Sequence, residues 1–147
     1  MRLWTLVLLV GCTNLQTFAQ KNKETLTPVS KTTLIVLGTA QDAGSPQINC
    51  TKTCCQAIFD GKQNATPVVA LGVIDPVNLE QFLFEATPDI TLQLRVLKNS
   101  APLEISEIPT AIFLTHAHIG HYTGLMYLGK EAMNAQQVPV FVYPKMQ

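Results

Sequence analysis

Three histidines stand within six residues, in Thr115-His116-Ala117-His118-Ile119-Gly120-His121, and the chain contains no others. A neutral imidazole presents a nitrogen lone pair near neutral pH, which makes histidine the commonest metal ligand. The cluster follows directly on the apolar run Ala111-Ile112-Phe113-Leu114. If that run is a buried strand, His116 and His118 leave its end two residues apart, a spacing that points both rings to one side of an extended chain. His121 comes one short turn later and reaches the same space. A lone histidine is ordinarily a surface or satisfied core residue. Three together, with none elsewhere, read as part of a metal site at the C-terminal end of a strand.

The elements that must hold this cluster follow from the hydrophobic pattern. Residues 32–37 are β-branched and apolar and are ended by Gly38, which predicts a buried strand. A loop with Gly44, Pro46 and Asn49 follows, and Thr51 is the expected cap of a short helix over residues 52–60, ended by Gly61. Residues 67–74 and 81–85 read as the second and third strands, joined into a hairpin by Asp75-Pro76-Val77-Asn78. Thr87-Pro88-Asp89 opens a helix in which Ile90, Leu94 and Leu97 share a face. Pro88 suits the first helical position there, and Asp89 suits the positive end of the dipole. A linker over 101–109 leads to the fourth strand. Helical turns are expected over 123–135, with Gly129 a weak point, and residues 138–143 read as a fifth strand with Pro139 at its start or edge. Strands first, then strands alternating with helices, predict an α/β fold with a sheet packed against helices.

With 147 residues, 47% of them hydrophobic, the chain has the size of one domain. Its formal net charge of zero leaves no electrostatic footprint for nucleic acid. No apolar run is long enough for a bilayer-spanning helix. Met1-Arg2, the apolar residues 3–10, and the small residues Thr17 and Ala19 predict a signal peptide over 1–19, with Gln20 as the mature start. Leu9-Val10-Gly11-Cys12 offers the rival reading of a lipid anchor at Cys12. Either way the protein is expected to be exported, as a periplasmic or secreted protein or as a lipid-anchored one. Residues 20–31 are polar, contain Pro28 and read as a flexible lead-in, which leaves 32–147 for the domain.

The strand followed by Thr-His-x-His-x-x-His resembles the metallo-β-lactamase superfamily, whose usual pattern is His-x-His-x-Asp-His. Several stretches narrow the likeness: residues 37–47 (Leu-Gly-Thr-Ala-Gln-Asp-Ala-Gly-Ser-Pro-Gln), the cysteines beyond them, Phe84-Glu85-Ala86-Thr87-Pro88-Asp89 and residues 115–125. Together they resemble pyrroloquinoline quinone biosynthesis protein B-like proteins, in the branch that also holds phosphoribosyl cyclic phosphodiesterases. This resemblance runs from about residue 34 to the end of the chain. It implies an αβ/βα sandwich with metal at the edge between two sheets. It implies one or two zinc ions and an activated water that attacks an ester, amide or phosphodiester. It places His116 and His118 in a first metal site and His121 in a second. It also implies that this sequence is the N-terminal half of a longer fold whose second half supplies a third histidine. Alone, such a half is expected to expose a sheet face and a strand edge, to be poorly stable and to be inactive.

The sequence departs from that pattern at Gly120, which stands where the superfamily has its aspartate. Glycine has no side chain to ligate a second metal or orient a water, so one zinc ion is expected and a second is doubtful. Cys50, Cys54 and Cys55 remain once Cys12 is assigned to the leader. An odd count argues against a simple disulfide framework. One disulfide with a free thiol, or three inert thiols, stay open, and the resemblance implies a structural metal on these thiolates. Asp42 and Tyr122 are candidates to line the cavity, Asp42 on a glycine-containing loop that would have to fold over the histidines. Glu85 and Asp89 are the other carboxylates near the cluster in sequence, and Asp89 reads as a helix-start residue. Residues 38–44 lack the lysine and glycine spacing of a phosphate loop.

Two functions follow. The first is an exported metal-dependent hydrolase of a small ester, phosphodiester or lactone-like substrate. The second is a non-catalytic metal- or small-molecule-binding protein on the same fold, which the loss of the aspartate at 120 favours. A β-lactamase proper fits neither the loop over residues 38–55 nor Gly120.

Overall fold

The computed structural model describes residues 27–146. The signal-peptide and Cys12 readings lie outside the described residues, as does most of the lead-in. In the part of the lead-in that is described, the Val29 N–H donates to the Ser100 carbonyl at 3.0 Å and its side chain packs on the core. Here the segment is irregular but anchored.

The elements run β1 (Thr33–Gly38), α1 (Thr53–Phe59), β2 (Ala70–Asp75), β3 (Glu80–Phe84), α2 (Ile90–Ser100), β4 (Ala111–Leu114), α3 (Ile119–Tyr122) and β5 (Val140–Val142), with 3₁₀ turns at Thr123–Leu128 and Pro144–Met146. The strands form one mixed sheet in the order β1-β2-β3-β4-β5. β2 and β3 pair antiparallel, as the hairpin reading expects, β1 joins them antiparallel to β2, and β3, β4 and β5 pair parallel. A tight turn joins antiparallel β2 and β3, whereas parallel neighbours need a crossover, and α2 supplies it between β3 and β4. Parallel pairing brings the C-terminal ends of β3 and β4 to the same edge, and the site is built there.

Several local expectations are corrected. Lys52, not Thr51, occupies the N-cap of α1, and no side chain caps it. Pro88 lies ahead of α2 rather than in its first turn. Asp89 is the N-cap, and its carboxylate accepts the Val68 N–H at 2.8 Å instead of capping its own helix. The helical turns expected over 123–135 stop as a 3₁₀ segment at Leu128, with Gly129 as the C-cap. The last strand is shorter than its apolar run, and Pro139 precedes it, where its carbonyl accepts the Ile112 N–H.

The core lies on one face of the sheet. Leu37, Ala70, Ile74, Leu83, Ile112 and Leu114 meet Ile90, Leu94 and Leu97, the apolar stripe of α2. Period two along the strands puts the alternate residues on the other face. There Phe84, Phe113 and Phe141 form a stacked ladder across three strands, with centroids 4.9 and 5.0 Å apart. Leu34 and Val36 on the same face are each 59% exposed and Phe141 is 53% exposed. An uncovered sheet face is therefore present among the described residues.

Candidate metal centre

Register decides the geometry of the site. Phe84 pairs with Phe113, and the Glu85 N–H donates to the Phe113 carbonyl at 2.9 Å. The next residues on the two strands then face each other. The Glu85 carboxylate is buried and accepts both the N–H and the hydroxyl of Thr115. Glu85 adopts φ 72, in the left-handed region that residues other than glycine seldom occupy. Such backbone costs on the order of 1–3 kcal/mol and is kept where the surroundings over-determine it.

Thr115 passes this order to His116. Its hydroxyl proton goes to Glu85, so its oxygen accepts from His116 Nδ1, 2.8 Å away. With the proton on Nδ1, the lone pair of His116 is on Nε2. A carboxylate acting through a hydroxyl thus sets the tautomer of an imidazole, the kind of outer-shell order that metal-binding histidines receive.

His121 is brought in from the other side. The Ala86 N–H donates to the His121 carbonyl and the Gly124 N–H to the Ala86 carbonyl, both at 2.8 Å. These bonds lock α3 against the chain leaving β3. His121 is buried, and its Nδ1 lies 3.3 Å from Glu85 Oε2, yet this nitrogen has no hydrogen-bond partner. A buried polar atom left unpaired is costly unless something else satisfies it. The His116 and His121 rings stand 4.0 Å apart between centroids. Glu85, His116 and His121 each offer a ligand atom within 4.8 Å of the others, the one such group of three or more among the described residues.

His118 flanks the triad. It is exposed, and its Nδ1 lies 3.1 Å from His116 Nε2 and 3.5 Å from Asp42 Oδ2. Tetrahedral zinc with Zn–N bonds of about 2.0–2.1 Å holds two nitrogens roughly 3.3 Å apart. The two imidazoles are therefore spaced as partners on one ion. An orphaned buried nitrogen, a carboxylate and imidazole lone pairs at ligand spacing form a donor set that fits a divalent cation.

The sequence places His116, His118 and His121 together, and the structure does bring them to one edge. It also brings in Asp42, whose loop does fold over the cluster. Tyr122 is exposed. Glu85 is the residue whose part the sequence hides, because its neighbour is set by strand register rather than spacing. Asp89 is a helix-start residue, as read.

The cysteines sit apart from this centre. Cys50, Cys54 and Cys55 are free thiols on the wall of a cavity of about 680 Å³ with Gln41, Ser45 and Thr66. A hydrogen bond from the Cys55 thiol holds Cys50 below the ordinary thiol range, helped by Lys52, and the same bond pushes Cys55 up. Among the described residues no disulfide joins them, and they do not converge as a three-ligand set within 4.8 Å. A further cavity, of about 530 Å³, lies between α2 and the 3₁₀ turn, lined by Ile90, Leu94, Tyr127 and Met133, away from the histidines.

No family model matches the chain. The mixed five-stranded sheet with its helices is of the α/β class, and its structural neighbours have the metallo-β-lactamase fold. The homologues are PqqB proteins. Coenzyme PQQ synthesis protein B of Cupriavidus taiwanensis is 35% identical over 100 residues, 66% of this chain and 33% of the relative. The protein of the same name from Klebsiella pneumoniae subsp. pneumoniae is 36% identical over 97 residues, 63% of this chain and 31% of the relative. The structure of Zn(2+)-bound PqqB from Methylobacterium extorquens matches with a TM-score of 0.61 at 24% identity, over 77% of this chain and 38% of that one. A diphosphatase from the PhnP family matches with a TM-score of 0.53 at 23% identity, over 76% of this chain and 41% of that one. The chain spans about a third of the length of the curated relatives it matches.

Proposed function

We propose that this chain forms part of a zinc-dependent hydrolase that acts on a small ester, phosphodiester or lactone-like substrate. The observation that carries the reading is the convergence of Glu85, His116 and His121, with the buried His121 Nδ1 left without a hydrogen-bond partner. A zinc-bound homologue and a diphosphatase of the same fold support it. A bound zinc ion supplies a Lewis acid and an activated water. The chain's own residues do the rest. Glu85 and Thr115 fix the His116 tautomer so that Nε2 faces the site. The burial of His121 keeps its ring from turning to solvent. The exposed side at His116 and His118 leaves the approach to substrate open.

Gly120 favours a second reading, a non-catalytic binding protein on the same fold. A panel of chromogenic phosphodiesters and lactones, assayed with zinc on the whole protein of which this chain forms part, separates the two. Turnover that disappears in His116→Ala supports the hydrolase. Zinc binding without turnover on any member supports the binding protein. Turnover that survives His116→Ala removes the metal mechanism. Export belongs to the same proposal. It expects a mature N-terminus at Gln20, or a lipidated Cys12, and intact Met1 on the isolated protein would overturn it.

Among the described residues no helix is long and apolar enough to cross a membrane. The thiols at Cys50, Cys54 and Cys55 are proposed as a separate structural metal site. It would require Cys54 to turn inward, and zinc content measured with and without Cys50→Ser tests it.

A further inference from the structure

Gly120 leaves its position empty of side chain, and another part of the chain occupies the room. A Cβ built at residue 120 would lie 2.2 Å from the Asp42 carbonyl oxygen and 2.5 Å from both Cα and Cβ of Asp42. No side chain fits there without moving backbone. The loop cannot easily yield, because it is held on both sides. The Thr39 and Ala40 N–H groups donate to the Pro67 carbonyl, each at 3.0 Å, and the Val69 N–H returns a bond to the Ala40 carbonyl at 2.8 Å. Within the loop, the Gly44 N–H donates to the Gln41 carbonyl at 2.9 Å and the Ala43 N–H to Gln41 Oε1 at 3.0 Å. A carboxylate carried by residue 120 and a loop passing at residue 42 exclude each other.

The side chain that arrives with this loop is itself a carboxylate. Asp42 Oδ2 lies 3.5 Å from His118 Nδ1, and that nitrogen is 3.1 Å from His116 Nε2. Each separation is close to the roughly 3.3 Å between neighbouring ligands on tetrahedral zinc, but the three donor atoms do not all lie within 4.8 Å of one another, so the Asp42 side chain has to turn toward His116 for all three to meet one ion. Glu85 cannot serve this flank, since it is buried beside His121 and committed to Thr115. We propose that Asp42 is the acidic ligand of the exposed flank of this site, delivered from the loop after β1 into the room that Gly120 leaves. The centre then has one carboxylate on each side of His116, from two different strand ends. This rests on the metal-site reading above.

The test measures zinc affinity by competition with a chelating dye, and the visible spectrum of the Co(II)-loaded full chain. Asp42→Asn keeps the shape and removes the charge. It is expected to weaken zinc roughly 10–100-fold, the range seen when metal-supporting groups are removed, and to alter the Co(II) bands. Gly120→Ala is expected to displace the loop and cause a similar loss, and the double variant should lose little more than either single one. Asp42→Glu is expected to recover part of the affinity. If Asp42→Asn binds zinc as the parent does, with an unchanged Co(II) spectrum, while His116→Ala abolishes binding, Asp42 makes an exposed ion pair only and the metal site stands without it. If the parent binds neither ion, the metal-site reading falls and this assignment with it. Should Gly120→Ala fail to fold, the Asp42→Asn comparison decides alone.

Discussion

Replacing Glu85 by glutamine separates the two roles that its carboxylate plays. Glu85 is 5% exposed, and its oxygens meet the Thr115 N–H and hydroxyl on one side and His121 Nδ1 at 3.3 Å on the other. Glutamine keeps an accepting oxygen for Thr115 and turns the other oxygen into an N–H donor. That donor faces the nitrogen that has no partner. Without metal, the variant removes a buried charge and gains a buried hydrogen bond, which contributes about 0.5–1.5 kcal/mol net. For a domain of this size that raises the melting temperature by roughly 2–6 °C. With metal the sign reverses. The negative charge next to the cation is gone, and His121 now has its lone pair engaged. Zinc affinity should fall roughly 10–100-fold, or about 1.4–2.8 kcal/mol. The assay is a melting curve with chelator present, paired with a zinc competition titration. A lower melting temperature combined with unchanged zinc affinity would refute the reasoning, because it would make Glu85 a structural carboxylate whose charge the fold needs.

Gln93 is 1% exposed and ties three segments that position the site: its Nε2 donates to the Val68 carbonyl at 2.6 Å and its Oε1 accepts the Thr87 hydroxyl at 2.7 Å. Gln93→Leu leaves buried polar groups unpaired and should cost about 1–3 kcal/mol in chemical denaturation; a loss under 0.5 kcal/mol would show that these groups find other partners. Asp75 accepts the Val77 N–H at 3.0 Å, the Asn78 N–H at 3.3 Å and the Asn78 side-chain amide at 2.8 Å, and Asn78 chiefly lowers its pKa below the ordinary 3.8. A carboxylate depressed in the folded state stabilises the hairpin fully above the unfolded value and loses that contribution as pH falls through the folded one. Asp75→Asn should therefore lower stability at neutral pH while matching the parent at low pH, which flattens the acid limb of the stability curve below about pH 4, and an unaltered acid limb would exclude the turn as its source.

Much of the architecture is legible from local pattern. The apolar run 111–114 bounds β4 correctly because all four residues are apolar and three of them are buried, and Asp75-Pro76-Val77-Asn78 marks the hairpin because the Asp75 carboxylate makes its own turn bonds. The histidines declare themselves through spacing at a strand end. What spacing cannot show is contact made across the sheet. Glu85 sits thirty residues before Thr115 in sequence, and only the parallel register of β3 on β4 makes them neighbours. The approach of Asp42 to Gly120 is less legible still, since it depends on a loop path fixed by backbone bonds to residues 67–69. The helical turns expected over 123–135 stop early for a local reason: beyond Gly129 the backbone is claimed by other turns, with the Met133 and Asn134 N–H groups returning to Tyr127 and Gly129.

The two flanks of the centre differ in what ordering them costs. Glu85 and His121 are buried and held by backbone bonds from Ala86 and Gly124, so a cation meets them already placed. His118 and Asp42, with side chains 70% and 32% exposed, keep rotamer freedom that binding must remove. Immobilising such side chains costs about 0.5–1.5 kcal/mol each. Zinc affinity should therefore be limited by the exposed flank. A change that restricts the Asp42 or His118 side chain should tighten binding more than any further packing around His121. The glycine at 120 is consistent with that economy: by admitting the loop backbone, it brings Asp42 against His118 at a separation that rotation of one side chain can close.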